Sequence, residues 1–274
     1  MPASNPGVVR AGTFSSQDKD KNKDDVMLFR RLILCAVVIG IAAGVLLGLT
    51  EQTTTAPIIA AAEQYEHAGH AHEGHGHHHV AAWAPDNGAE RVVFTIIAGV
   101  GVAIGFALML LVAMCMARVL HGHRPTMRAG LLWGLGAFAC VFAAPAIGLP
   151  PELPGAAAAD LTARQIWWVA AVGATGVSLW LLVFVSRAWK WAGLALLPLP
   201  YVYGAPQPAA GHSPVAGGPN AEMLARLHES FVWATSSTNL ALWLVLGLGC
   251  AWAMQRWISP ALADAGLTPL AARA

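Results

Sequence analysis

Five long stretches of the chain carry no charged side chain: residues 32–49, 92–117, 129–149, 165–186 and 230–254. A helix needs about 20 mostly apolar residues to cross the hydrocarbon of a bilayer. Each stretch therefore predicts a membrane-spanning helix. A sixth apolar run, 191–205, is shorter and holds Pro198 and Pro200. A run of that kind suits a short span, a re-entrant segment or an interfacial helix. The first run exceeds the apolar core of a cleavable signal, and apolar residues resume at Ala56 without a cleavage site. It reads as a span rather than a leader.

The polar segments between the runs set the expected organisation. Spans at about 29–49, 91–117, 129–149, 165–186, 190–205 and 230–254 predict an all-α, polytopic membrane helix bundle. It has six crossings, or five if the 190–205 run does not cross. Basic residues favour the cytoplasmic side. Six crossings with an inner N-terminus put 13 of the 16 Lys and Arg residues inside, leaving Arg91, Arg164 and Arg226 outside. Five crossings separate them less well, 12 against 4. Residues 27–257 then form the membrane domain, with an outer loop over 50–90. Residues 1–26, with their alternating Asp and Lys, read as a disordered cytoplasmic tail. Residues 258–274 read as a short cytoplasmic tail. Trp83, Trp167, Trp168, Trp189, Trp191 and Trp257 fall near span ends, where amphipathic rings are stable.

A repeat of helical hairpins is also suggested. Ala56-Pro57, Ala144-Pro145 and Ala205-Pro206 each precede an outer arginine that opens the next span. Transporters are often built from such repeats.

Composition narrows the function classes. Of 274 residues, 11% are charged and 56% hydrophobic, with a mean hydropathy of +0.55. That excludes an ordinary soluble domain, in which about a quarter of residues are charged, and it excludes a disordered chain. A net charge of +1 offers nothing to nucleic acid. Cys35, Cys115, Cys140 and Cys250 are scattered through the apolar runs with no CxxC spacing, and read as small buried hydrophobes.

The strongest local chemistry lies in the outer loop. His67, His70, His72, His75, His77, His78 and His79 place seven of the 11 histidines within 13 residues. Glu63, Glu66 and Glu73 are interspersed, and Gly69, Gly74 and Gly76 loosen the backbone. Neutral imidazole ligates first-row divalent ions. The tract is expected to bind such an ion, with Glu63 and Glu66 as further ligands, and to release it as pH falls through the imidazole range. Ligand type alone leaves cobalt, nickel and zinc open.

Polar residues at membrane depth mark a candidate pathway, because they are costly in lipid and turn inward. Glu51 and Gln52 follow the first span, Gln165 opens the fourth, and Asn239 closes a Ser-Ser-Thr-Asn run inside the last. Asn239 is read first as interhelical packing glue and second as an ion contact. His121 and His123 are read as solvated loop residues of the inner side. No P-loop, HExxH or GxSxG signature is present, so an enzyme is not expected.

Five features in order resemble the CbtA family of cobalt transporter subunits. They are Phe29-Arg-Arg-Leu, Pro57-Ile-Ile with Glu63-Gln-Tyr-Glu66 before the histidines, and Trp83-Ala-Pro-Asp-Asn-Gly-Ala-Glu-Arg91. The fourth is Ala144-Pro-Ala-Ile-Gly-Leu-Pro-Pro-Glu-Leu-Pro-Gly155 with Asp160-Leu-Thr-Ala-Arg-Gln-Ile-Trp-Trp168, and the fifth is Ala205-Pro-Gln-Pro. The resemblance covers roughly residues 27–256. It implies a bacterial inner-membrane protein for cobalt uptake linked to cobalamin metabolism. It also implies a small single-span partner subunit that carries histidines. The expected function is divalent metal uptake, cobalt foremost, with no permanent cofactor. Nickel or zinc transport is the rival within the class. A non-transporting metal-binding or regulatory membrane subunit is the rival outside it.

Overall fold

The computed structural model describes residues 11–70, 88–153, 158–185, 187–208 and 221–267. All regular structure among them is helical. The order is α1 (Ala11–Thr53), α2 (Thr55–His70), α3 (Ala89–His121), α4 (Met127–Phe138), a π-turn (Ala139–Ala143) and α5 (Ala144–Gly148). It continues with α6 (Leu161–Phe184), α7 (Arg187–Leu196), α8 (Leu199–Tyr203), α9 (Ala221–Ala253), a second π-turn (Met254–Ile258) and α10 (Ser259–Asp264). Five stretches are long and apolar enough to cross a membrane: Lys23–Thr53, Ala89–His121, Met127–Gly148, Leu161–Phe184 and Glu222–Asp264.

Close helix approach builds the core. Gly40, Gly44 and Gly48 recur every fourth residue and lie flush against the α3 backbone. A Cβ on Gly44 would sit 2.7 Å from the Val100 nitrogen and 2.9 Å from the Gly99 oxygen. Small residues at this spacing let membrane helices pack backbone to backbone. A second such seam joins α4 to α9, where Gly130 and Gly134 meet Gly247, Trp243 and Ala251. Between the seams sits an apolar core in which Trp243, Leu111, Leu246 and Met254 are fully buried.

Both π-turns end two residues before a proline, Pro145 and Pro260. A proline ring has no N–H to give and crowds the carbonyl four residues back. An extra residue in the preceding turn absorbs that mismatch without breaking the helix.

The path of the chain follows from which ends meet. Call the end holding the close of α1 and the start of α3 the histidine end. The His121 ring, at the close of α3, lies 5.3 Å from that of Phe184, which closes α6, so α6 finishes at the far end. The start of α9 is back at the histidine end, since Phe231 and Thr235 face Glu51 and Arg91 across one pocket. The intervening chain must therefore travel the length of the bundle. It does so along α6. Gly193 of α7 packs on Ser178 and Leu181, and the Trp167 indole N–H donates to the Pro200 carbonyl of α8 at 3.0 Å. The Tyr201 hydroxyl donates to the Ala144 carbonyl at 2.7 Å. Residues 187–203 thus form two short helices of 10 and 5 residues rather than one continuous helix. Pro198 and Pro200 impose the break, and polar anchors on α5 and α6 hold it. Substituting Tyr201→Phe is expected to cost about 1 kcal/mol, read as a lower unfolding midpoint in lipid nanodiscs.

Among the described residues, the connecting segments carry more helix and more packing than their sequence suggests. The polar stretch 11–26, expected to be disordered, continues α1 as helix. The apolar span supplies a nucleus from which helix extends into it. The outer loop over 50–90 contains α2, a 16-residue helix. The C-terminal stretch from 258 is not a bare tail, because Ile258, Ala261 and Leu262 are buried. Residues 1–10 and 268–274 lie outside the described residues.

The suggested hairpin repeat has a partial counterpart in ion pairs. Arg91 pairs with Glu63 and Arg164 with Glu152, each across its own connection, both at 2.9 Å. Arg226 pairs instead with Glu222 on its own helix at 2.7 Å. Packing does not follow the repeat: α1 pairs with α3, but α4 packs chiefly on α9 and α6 on α7.

Candidate functional site

The histidine end of the bundle holds a pocket of about 740 Å³, framed by the end of α1, by α2, the start of α3 and α9. Glu51 and Gln52 occupy the last turn of α1, where the first span leaves the apolar layer. Glu63 stands two turns into α2 and Arg91 in the first turn of α3. Thr235, Thr238 and Asn239 approach from α9. Of the polar residues anticipated along a pathway, Glu51, Gln52 and Asn239 are gathered here, and Glu63 from the anticipated metal ligands joins them. Gln165 is not among them. It lies exposed in the first turns of α6, away from this pocket.

The lining is rich in acceptor oxygens. The Asn239 amide nitrogen donates to the Thr235 carbonyl of its own helix at 3.0 Å, which leaves its amide oxygen uncommitted by that bond. Its described hydrogen bond is therefore not interhelical glue. The buried Thr235 hydroxyl oxygen has no partner among the described residues. Thr238 donates to the Ala234 carbonyl at 2.8 Å and meets the Thr54 hydroxyl at 3.5 Å. Among the described residues Glu51 has no basic partner, whereas Glu63 is held by Arg91. The charged lining sums to one net negative charge.

An ion with about six waters needs on the order of 200 Å³, at ~30 Å³ per water. The pocket can hold such an ion with water to spare. Oxygen donors and one carboxylate without a basic partner among the described residues form an environment suited to a partly hydrated divalent cation. Among the described residues no three His, Cys, Asp or Glu side chains converge as a closed metal cage.

Thr235 was missed from sequence because it stands directly before the Ser-Ser-Thr-Asn run, where nothing local sets it apart. The signal was its spacing: Thr235, Thr238 and Asn239 share one helix face at i, i+3 and i+4. The neighbouring Ser236 and Ser237 do not line the pocket and bond back to Val232 and Ala234.

The helices on either side of the histidine tract line this pocket. His67 and His70 lie in the last turns of α2, and α3 begins at Ala89 just past Gly88, a pocket-lining residue. His72, His75, His77, His78 and His79 lie outside the described residues, as do the side chains of Glu66, His67 and His70. At the far end, His121 and His123 are not merely solvated: their rings lie 5.3 and 5.7 Å from that of Phe184. The four cysteines are free, and Cys250 is buried.

Residues 29–255 match the family described as Probable cobalt transporter subunit (CbtA). The chain belongs to the CbtA family. No curated protein and no solved structure matches it. CbtA membership makes the chain a membrane transporter subunit, not a member of an enzyme family, with cobalt as the substrate its family description names. The word subunit places it among partner proteins.

Proposed function

We propose that this CbtA chain admits divalent cobalt through the pocket at the histidine end, which faces outward. The tract from His67 to His79 collects the ion outside the cytoplasmic membrane. Glu51, with Gln52, Thr235 and Asn239, receives it at membrane depth, where Glu63 and Glu66 add negative charge. The broken segment 187–203 serves as a sixth crossing, so both termini are cytoplasmic. A small single-span, histidine-bearing subunit is the proposed partner. An inside-negative potential favours inward movement of a dication by about 4.6 kcal/mol per 100 mV.

One observation carries this reading. The helices that lead into and out of the histidine tract are two walls of the pocket itself.

The test is uptake of radioactive cobalt into vesicles holding the full protein, with and without an imposed potential. A variant lacking residues 67–79 is run beside it. Potential-dependent uptake is expected in both, with the variant needing more cobalt to reach half its maximal rate. Cobalt binding without uptake by either protein would favour a metal-binding subunit that does not itself transport.

A further inference from the structure

The pocket contains a cation of its own. Arg91 reaches from α3 to α2, where Nη2 donates to Glu63 Oε1 at 2.9 Å and Nη1 to Oε2 at 3.4 Å. The two side chains are 40% and 33% exposed, so water and ions reach the pair. A two-point grip of guanidinium on carboxylate is geometrically specific as well as charged. The pocket's two carboxylates are therefore unlike: Glu51 has no basic partner among the described residues, while Glu63 is already occupied. The pair of Arg164 with Glu152 has the same chemistry and does not line this pocket. A fastener between segments alone would need no cavity beside it.

We propose that Arg91 is a specificity-determining residue: it is a tethered monovalent cation that holds Glu63 against alkali ions and yields it to divalent ones. This inference rests on the reading of the pocket as a cation site. Attraction to a carboxylate scales with the charge of the ion. A sodium or potassium ion has the same charge as the guanidinium and lacks its two hydrogen bonds, and the tether keeps the guanidinium at high local concentration. Exchange gains a monovalent ion nothing. A divalent ion is attracted about twice as strongly at equal distance and also has Glu51 across the same pocket. Displacement of Arg91 unlinks α2 from α3, the helices that flank the histidine tract.

The test uses the full-length protein in nanodiscs, with His67, His70, His72, His75, His77, His78 and His79 replaced by serine so that the tract does not dominate. Cobalt binding is titrated in choline chloride and in sodium chloride at equal ionic strength. The parent is expected to bind equally in both salts. Arg91→Gln is expected to bind about tenfold tighter in choline and to lose about threefold of that in sodium. Arg91→Lys, which keeps the charge without the two-point grip, should fall between. Adding Glu63→Gln to Arg91→Gln should remove both effects. Independently of any change at Arg91, cobalt should raise its modification by phenylglyoxal in the parent. An Arg91→Gln protein with parental affinity and no sodium sensitivity overturns the inference, as does phenylglyoxal labelling indifferent to cobalt. Absence of cobalt binding from the parent and from every variant overturns the pocket reading itself, and the inference with it.

Discussion

Replacing Glu51 by glutamine is expected to lower cobalt uptake by about tenfold to a hundredfold while leaving the folded protein intact. The size follows from what is lost. Glutamine keeps the shape and one acceptor oxygen but removes the pocket's one carboxylate without a basic partner among the described residues. A charged hydrogen-bonding partner contributes about 1.5–3 kcal/mol, and each 1.4 kcal/mol is about tenfold in affinity. Stability should hardly change, because no described hydrogen bond or ion pair of the Glu51 side chain is lost. Glu222→Gln is the control. Its partner Arg226 lies on the same helix, both are largely exposed, and neither lines the pocket, so uptake should be unaltered. Uptake rates in vesicles at several cobalt concentrations check both statements. Equal losses in the two variants would detach the effect from the pocket.

The second large effect concerns assembly. Gly44→Leu is expected to prevent recovery of a monodisperse folded protein. The new side chain would have to displace the backbone of α3 at Gly99 and Val100 rather than a movable side chain. Overpacking of a tight core costs about 1–3 kcal/mol when side chains can yield, and here they cannot. Gly40 and Gly48 on the same stripe would be pulled from Ile104 and Ile96, which also opens the framework of the pocket. Gly101→Leu is the matched control on α3, since a Cβ there meets no atom within 4 Å. It should purify and unfold like the parent. Size-exclusion profiles and thermal unfolding in detergent decide between these outcomes. A well-folded Gly44→Leu protein would show that the seam is looser than its geometry implies.

The membrane class was legible because a bilayer imposes a simple demand. Roughly 20 apolar residues per crossing leave a mark that survives without tertiary information. The 190–205 run was harder, since Pro198 and Pro200 shorten its helices. Its path along α6 depends on Trp167 and Tyr201 finding carbonyls on α8 and α5. No local pattern announces those partners. The helical course of residues 11–26 was hidden by composition, because charges that alternate in sign read equally as a solvated coil or as helix-spaced pairs. The glycine stripe at 40, 44 and 48 was visible all along as a four-residue period in α1. Its meaning needed α3 alongside.

The pocket was legible in pieces. Glu51, Gln52 and Asn239 stood out as polar groups at membrane depth, and they converge. Gln165 had the same signature and lies elsewhere, since depth in the membrane does not say which helices adjoin. Glu63 was read as a further metal ligand beside the tract, and its carboxylate is engaged by Arg91. Twenty-eight residues separate the two. They meet because α2 and α3 both pack on α1 and α9.

On the proposed function, cobalt is held in the pocket by oxygen donors that include Glu51. That placement is tested most directly by X-ray absorption at the cobalt edge, on protein whose seven tract histidines are serine. A six-coordinate shell of oxygen neighbours is expected in the parent, with loss of bound cobalt in Glu51→Gln. A shell dominated by sulfur or imidazole, unchanged by Glu51→Gln, would place the ion elsewhere and contradict it.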